Sequence, residues 1–297
     1  MASTMNRLQF GLQFGDRVLS DADFADDIAL VASTVDKMTK ALQVLSEEAS
    51  KVGLKINWQK TKVMLLEPPT SRSTVKEVNI GSNRVDVVED FTYLGSILSN
   101  DGLITKELTS RIAKASALVG RLSSIWRKPN ISRFTKMRIY NASVSTVLLY
   151  GAETWPAAKS ILSAVDVAQT KHLRRIERLH WTDLVSNQTL LSRTAQTPFS
   201  TQLAQRTVRW YGHLLRMPRD APARVAFDFD PTLHGWKRPR GRPHTRWKDK
   251  ADEFLTQAHI PVEEAAILAS DRSTWRRLVS SFSTQISANY ESALQKL

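Results

Sequence analysis

The fold of this chain can be worked out from one segment, Asp23-Phe24-Ala25-Asp26-Asp27-Ile28-Ala29-Leu30. Two adjacent carboxylates lie between an aromatic residue and an apolar run, and Arg17–Leu19 upstream can form a strand. The pattern predicts strand, tight turn and strand, with Asp26 and Asp27 at the tip. Like charges this close repel each other unless a cation lies between them, and Mg²⁺ takes carboxylate oxygens together with water and phosphates. A solvated turn is the simpler alternative, because Asp is a common turn residue.

The composition indicates an intracellular protein that acts on a polyanion. The chain has 297 residues, of which 42% are hydrophobic, a formal net charge of +13 and no cysteine. Disulfides and thiolate metal sites are therefore excluded, and no apolar run is long enough for a membrane span. The basic residues recur with Trp, Tyr and His rather than along one lipid-seeking helix, so nucleic acid is the expected partner. The segment Arg240-Gly241-Arg242-Pro243 resembles nuclear-import signals, and a nuclear location is expected. A merely soluble basic protein is the alternative.

A helix and a lysine-rich segment follow the carboxylate pair. Apolar residues recur at three- and four-residue steps over 35–52, which predicts a helix ended by Gly53. Residues 54–58 and 63–66 have the composition of strands around a turn that carries Lys60. A lysine near a triphosphate can neutralise or protonate the leaving group. An exposed strand face is the simpler interpretation of this lysine.

Further along, the sequence predicts two hairpins and then helices. Residues 78–88 form the first hairpin around a short glycine-containing loop, and Tyr93-Leu94-Gly95 lies in the second. Beyond these, the apolar period changes from two to about 3.6 residues. The new period predicts three helices, over 108–126, from Ser132, and over 157–179.

These motifs, in this order, resemble those of the reverse transcriptases of non-LTR (LINE-type) retrotransposons. In that family an aromatic-x-Asp-Asp hairpin supplies metal ligands, a Gly-Leu-x-Ile-Asn-x-x-Lys-Thr box follows it, and a Tyr-Leu-Gly hairpin grips the primer end. The resemblance implies that Asp26 and Asp27 bind Mg²⁺ (or Mn²⁺) and that Lys60 assists catalysis. It also implies that Tyr93, Leu94 and Gly95 contact the primer.

The resemblance also implies how the chain is divided. The expected fold is α+β, with the C-terminal half of a reverse transcriptase palm (antiparallel sheet plus helix) over residues 1–100. A helical thumb or connection is expected over 101–180, and a basic, mostly helical, nucleic-acid-binding region over 181–297. One position departs from the pattern, since His172 stands where those elements often carry cysteine.

The C-terminal region holds further residues expected to bind nucleic acid. Residues 206–217 look like the Trp-x-Gly-His-x-x-Arg-Met signature of this group, and residues 237–247 are similar to its closing segment. The second segment is basic and rich in Pro and Gly, and its arginines would repel one another unless phosphates lie nearby. Tryptophans among these cations could stack on unpaired bases or anchor a small helical core. The candidate contacts are Arg209, Trp210, Lys237, Arg238, Arg240, Arg242, Arg246 and Trp247.

One departure from the family limits the expected activity. These polymerases use a further Asp on an earlier, separate strand, whereas the carboxylates before Asp26 are Asp16, Asp21 and Asp23, all within the hairpin or its approach. The chain is therefore expected to be a retrotransposon fragment of an RNA-directed DNA polymerase (nucleotidyltransferase), inactive on its own. The complete enzyme would use an RNA template, a DNA primer or target and dNTPs. The alternatives are a non-catalytic basic nucleic-acid-binding module and a transposon remnant without a role.

Overall fold

The computed structural model describes residues 11–14, 17–66, 75–230 and 246–281. Its described residues fall into two compact units. The first unit contains the residues up to Ile104 together with 219–230, and the second contains Thr105–Pro218 together with 246–281. All described strands lie in the first unit, and both units contain helices, so the α+β class predicted from the sequence is confirmed.

The β structure of the first unit consists of antiparallel hairpins. Within the described residues each strand pairs with one other, so the expected antiparallel sheet is present as separate two-stranded ladders. The pairs are β1 (Leu12–Phe14) with β2 (Arg17–Leu19), β3 (Asp21–Phe24) with β4 (Asp27–Leu30), β5 (Glu77–Ile80) with β6 (Asn83–Asp86), and β7 (Asp90–Tyr93) with β8 (Ser96–Ser99).

The structure corrects two strand predictions. Strand β2 pairs with β1 and not with the strand that carries Asp27, whose partner is β3. Residues 54–57 form no strand, because the chain turns at Asn57, and Val63 contributes only an isolated parallel bridge to Val87. Strand β2 forms as its composition predicts, but it pairs with a different strand. At residues 54–57 the composition also predicts a strand, but the turn at Asn57 takes its place.

A long helix described in the first unit packs on the β5–β6 hairpin. Helix α1 (Val35–Lys51) is capped by Thr34, whose hydroxyl accepts a hydrogen bond from the backbone N of Lys37 at 3.2 Å. The predicted end at Gly53 is confirmed, with a φ of +79° that a side chain rarely adopts. The apolar faces of the helix and the hairpin meet in a small core built from Leu42, Val63, Val78, Ile80 and Val85.

The regular structure described in the second unit is helical. The helices described after α1 are α2 (Thr105–Arg121), α3 (Ser123–Arg127), α4 (Arg133–Ile139), α5 (Thr146–Leu148), α6 (Lys159–Glu177), α7 (Asn187–Thr194), α8 (Phe199–Arg216), α9 (Pro222–Asp228), α10 (Trp247–Gln257) and α11 (Ala265–Ser270). Of these, α9 belongs to the first unit. A π-helical turn, Tyr140–Ser145, joins α4 to α5, two 3₁₀ turns lie at Ala152–Thr154 and Trp181–Asp183, and residues 272–281 are also helical.

Helix α8 lies at the centre of the second unit. It contacts α6, α10, α11 and the 3₁₀ turn Ala152–Thr154, and its Phe199, Leu203 and Val208 are buried. The predicted division at residue 100 lies close to the boundary between the units. Helices on both sides of residue 180 share one core, and the functional division predicted there stays a prediction. No helix in the described ranges is long and apolar enough to cross a membrane.

Candidate active-site hairpin and nucleic-acid surface

The carboxylate pair lies at the end of the β3–β4 hairpin. Phe24 and Asp27 form its last paired position, so the turn consists of Ala25 and Asp26. Asp26 therefore lies at the tip as predicted, whereas Asp27 is the first residue of β4. Ala25 has a φ of +56°, a left-handed conformation that costs a residue with a Cβ about 1 kcal/mol. The hairpin keeps this strained turn directly beside the two carboxylates.

The strand register places the upstream carboxylates of the hairpin on the face opposite Asp27. Directly paired residues share a face, so Asp27 lies with Phe24, and Asp23 lies with Ile28 on the opposite face. Asp21 shares the face of Asp23, because side chains alternate along a strand. Partial burial and the charge of Asp21 raise the pKa of Asp23. Neither of these upstream carboxylates lies on the face of Asp27.

Asp26 and Asp27 are open to solvent. Both side chains are exposed, and no hydrogen bond or ion pair to them forms within the described ranges. Two such carboxylates fit Mg²⁺, which takes one or two carboxylates and completes its shell with water and substrate phosphates. The described residues contain no group of three or more His, Cys, Asp or Glu side chains placed to hold a metal. The pair therefore fits an ion bound jointly with a phosphate better than a closed protein site.

The Tyr-Leu-Gly motif lies against the carboxylate hairpin. The hydroxyl of Tyr93, at the end of β7, donates a hydrogen bond to the backbone carbonyl of Ala22 in β3 at 3.0 Å. Burial and the negative charges of Asp23 and Asp27 raise the pKa of Tyr93. The Leu94-Gly95 turn has φ values of +48° and +81°, and positive φ at both central residues matches the tight turns of β-hairpins. Two segments predicted separately from the sequence are thus joined in one site.

Lys60 lies in a turn that Asn57 fixes. The backbone carbonyl of Asn57 accepts from the N atoms of Lys60 and Thr61 at 3.1 and 3.0 Å, and its side-chain oxygen accepts from the N of Lys60 at 3.2 Å. The Lys62 ammonium pairs with Asp86 at 2.6 Å, and this hydrogen bond lowers the pKa of Asp86. The exposed Lys60 has no carboxylate partner among the residues that the structure describes. It therefore sits on a turn rather than on a strand face, and none of the described contacts joins it to the carboxylate pair.

Two of the predicted C-terminal contacts lie on the surface of α8. Arg209 is exposed, and Trp210 is half-buried beside His213, with the ring centroids 5.0 Å apart. The glycine of the same motif has a packing role. An added Cβ at Gly212 would lie 2.2 Å from Nε1 of the buried Trp275. The signature therefore combines surface residues with a close helix contact.

The residues at the start of α10 are held by contacts within the second unit. The indole N–H of Trp247 donates to the carbonyl of Glu153 at 2.7 Å, and its ring stacks on that of Tyr211 with the centroids 6.2 Å apart. Arg246 forms an ion pair with Asp249 at 2.7 Å. These contacts favour the anchoring alternative for Trp247, and base stacking by this ring stays a prediction. The other basic candidates, Lys237, Arg238, Arg240 and Arg242, lie outside the described residues.

A buried polar cluster surrounds His172 and was not predicted from the sequence. Its Nε2 lies 2.9 Å from the hydroxyl of Ser116, and its Nδ1 lies 3.4 Å from the hydroxyl of Tyr140. Burial, with a smaller contribution from the charge of Arg175, lowers the pKa of His172 to about 4, so the ring is neutral at pH 7. Burial also raises the pKa of Tyr140. The available signal was the position of the histidine on the apolar face of the predicted helix.

One segment of the first unit is similar to a known protein family, and most of the chain is similar to another protein. Residues 17–98 match the family described as reverse transcriptase (RNA-dependent DNA polymerase). This segment contains the carboxylate hairpin, the Lys60 turn and the Tyr93 hairpin. An uncharacterized transposon-derived protein of Caenorhabditis elegans is 25% identical over 283 residues, which cover 90% of this chain and 98% of the relative. The similarity therefore extends through both units.

Proposed function

We propose that the chain is a LINE-type retrotransposon product that acts on RNA and DNA in the nucleus, because residues 17–98 match the reverse transcriptase (RNA-dependent DNA polymerase) family. The relative in C. elegans is itself transposon-derived. The observation that carries the proposal is the hydrogen bond from Tyr93 to Ala22. It holds the hairpin that would grip the primer end beside the hairpin that would hold the catalytic metal.

The site residues have distinct roles in this proposal. Asp26 and Asp27 would hold Mg²⁺ or Mn²⁺, and the ion would stabilise the charge that develops when a primer 3′-hydroxyl displaces pyrophosphate from a dNTP. Lys60 carries an exposed ammonium suited to the charge of the leaving group. The Leu94-Gly95 turn would let the primer backbone approach closely, because glycine has no side chain.

A second candidate function is non-catalytic nucleic-acid binding by the basic C-terminal region. The observation that favours it is the strand register, which places Asp21 and Asp23 on the face opposite Asp27. A catalytic carboxylate group without one of its members loses orders of magnitude in rate. The helical second unit has a core of its own, so it could bind nucleic acid whether or not the hairpin is active.

The discriminating experiment is primer extension on an RNA template with dNTPs, run with Mg²⁺ and again with Mn²⁺. The wild-type chain is compared with Asp26→Ala/Asp27→Ala, and with Asp36→Ala as a control that removes an exposed carboxylate from α1. Polymerase function predicts extension by the wild type and the control but not by the double variant. Equal results for all three proteins would reject the catalytic role of the hairpin.

The second candidate has its own measurement. Oligonucleotide affinity is followed as a function of salt for the wild type and for Arg238→Gln/Arg240→Gln/Arg242→Gln. Each lost phosphate contact should reduce the slope of log affinity against log salt by about 1. A shallow slope that is the same in both proteins would reject binding through this segment.

A further inference from the structure

A groove of about 300 Å³ opens on the second unit between α4 and α7, which contact each other. Helix α4 begins as predicted at Ser132, whose hydroxyl accepts from the N of Thr135 at 3.2 Å. Helix α4 and the start of the π-helical turn that follows it form one wall, and the end of α7 with the two residues after it forms the other. The walls consist of residues 133, 134, 137, 138 and 141 and residues 193–196.

The most prominent side chain of the groove is an exposed aromatic ring. Phe134 is 72% exposed, although burying such a ring would gain about 1.5–3 kcal/mol. The guanidinium of Arg138 lies 5.8 Å from the ring centroid, within the range in which a cation interacts with an aromatic face. An uncovered ring with a cation beside it is the arrangement that stacks an unpaired base in proteins that bind single strands.

The charge of the groove is positive. Arg133 is neutralised by Glu177, with 2.9 Å between its guanidinium and the carboxylate. Arg138 and Arg193 are exposed and have no carboxylate partner within the described ranges. The lining contains no acidic side chain. Two uncompensated guanidinium groups on opposite walls therefore complement an anion that runs along the groove.

We propose that this groove binds a single-stranded segment of nucleic acid, with one unpaired base stacked on Phe134 and the flanking phosphates at Arg138 and Arg193. Its volume matches the lower end of pockets that hold small molecules and nucleotides. Stacking accepts any base, so the site selects unpaired over paired strands and not one sequence over another. The proposal rests on nucleic acid as the ligand of the proposed function, but it does not need Asp26 and Asp27 to be catalytic.

Binding to the full chain is measured by fluorescence anisotropy of a labelled eight-nucleotide single strand, without dNTPs or metal. Phe134→Leu keeps an apolar side chain but removes the ring, and it is expected to weaken binding about tenfold. Trp181→Leu is the control, because Trp181 is 79% exposed in the same unit and lies outside the groove lining. A hairpin duplex of equal charge should bind Phe134→Leu and the wild type equally.

The two arginines are tested separately from the ring. Arg138→Gln and Arg193→Gln should each weaken binding and reduce the salt slope by about 1, whereas Arg121→Gln, at an exposed position outside the groove lining, should leave stacking intact. In a second measurement, a strand that carries 5-iodouracil is photocrosslinked to the chain. Crosslinking should occur at the peptide that contains residue 134 and should disappear in Phe134→Leu.

Three results would overturn the proposal. In the first, Phe134→Leu and Trp181→Leu bind the single strand with equal affinity. In the second, Phe134→Leu loses duplex binding and single-strand binding to the same extent. In the third, binding of an acidic peptide depends on Phe134 but binding of the oligonucleotide does not. Primer extension is assayed independently. If primer extension occurs but single-strand binding does not depend on Phe134, only the proposed groove site is rejected. If a strand crosslinks at residue 134 but no primer is extended, only the proposed polymerase activity is rejected.

Discussion

Replacing Gly212 by alanine should destabilise the second unit, although alanine is the better helix former. Gly212 lies in the C-terminal half of α8, where the indole of Trp275 packs against the helix. An added Cβ would lie 2.2 Å from Nε1 and 2.3 Å from Cε2 of that indole, whereas ordinary contacts begin at 3.4 Å. The ring would therefore have to retreat by roughly 1 Å in a close-packed interior.

The expected loss can be assembled from three contributions. Forcing extra atoms into a packed core costs about 1–3 kcal/mol. The retreat of the ring also breaks the hydrogen bond from Trp275 Nε1 to the carbonyl of Val208, 3.2 Å long, which contributes about 1 kcal/mol. Alanine gains about 1 kcal/mol over glycine in helix propensity. The net prediction is a loss of about 2 kcal/mol in the free energy of unfolding.

The assay is a urea titration of the Gly212→Ala variant followed by circular dichroism, with two comparisons built in. Gly120→Ala in α2 is the matched control, because the nearest atom to its added Cβ is the guanidinium NH2 of Arg175 at 3.8 Å. That variant should be more stable than the wild type by about 1 kcal/mol. In a Trp275→Leu background, Gly212→Ala should lose its penalty, because the clashing indole is gone.

A Gly212→Ala variant as stable as the wild type would show that the indole of Trp275 does not clash with the added methyl group. An equal penalty with and without Trp275 would show the same, since the measured coupling would then be zero.

Three other predictions concern buried or linking side chains. The pKa of His172 is about 4 in the folded chain and 6.5 in the unfolded chain, so the free energy of unfolding decreases as pH falls through that range. In urea titrations between pH 7 and pH 5, the wild type should lose about 2 kcal/mol more than His172→Gln, and equal losses would contradict this. Glu107→Ala should lower the free energy of unfolding by about 3 kcal/mol, because it removes the carboxylate 2.7 Å from the buried guanidinium of Arg111. Thermal unfolding of this variant is compared with that of Glu107→Ala/Arg111→Met, in which the midpoint should recover because no charge is left unpaired. Tyr93→Phe should lower the stability of the first unit by about 1 kcal/mol and impair primer extension, because the link to Ala22 is lost; an unchanged urea midpoint would show that the hydroxyl is not needed.

The elements that the sequence predicts well are those coded by neighbouring residues. The end of α1 at Gly53 and the start of α4 at Ser132 depend on capping groups a few positions apart. The turn at Asp26 follows from an apolar pattern interrupted by polar residues. Strand composition misled at residues 54–57, because the side chain of Asn57 offers the backbone a competing hydrogen bond.

The features that the sequence did not predict join positions far apart along the chain. Tyr93 and Ala22 are separated by 71 residues, and Ser116 and His172 by 56. No local pattern encodes such a pairing, because it depends on how whole elements pack. The role of Gly212 could not be derived for the same reason, since the indole that requires it comes from a helical segment near residue 275.

The hairpins of the first unit share no ladder within the described ranges, and this has a consequence for how the unit opens. Each hairpin can lose its hydrogen bonds without breaking those of another. The amides of β5–β6, which has buried Val78, Ile80 and Val85 against α1, should exchange with deuterium most slowly, and the exposed β3–β4 hairpin should exchange rapidly. The two carboxylates therefore lie at the exposed end of a hairpin that is expected to open more readily than the core formed by α1 and the β5–β6 hairpin.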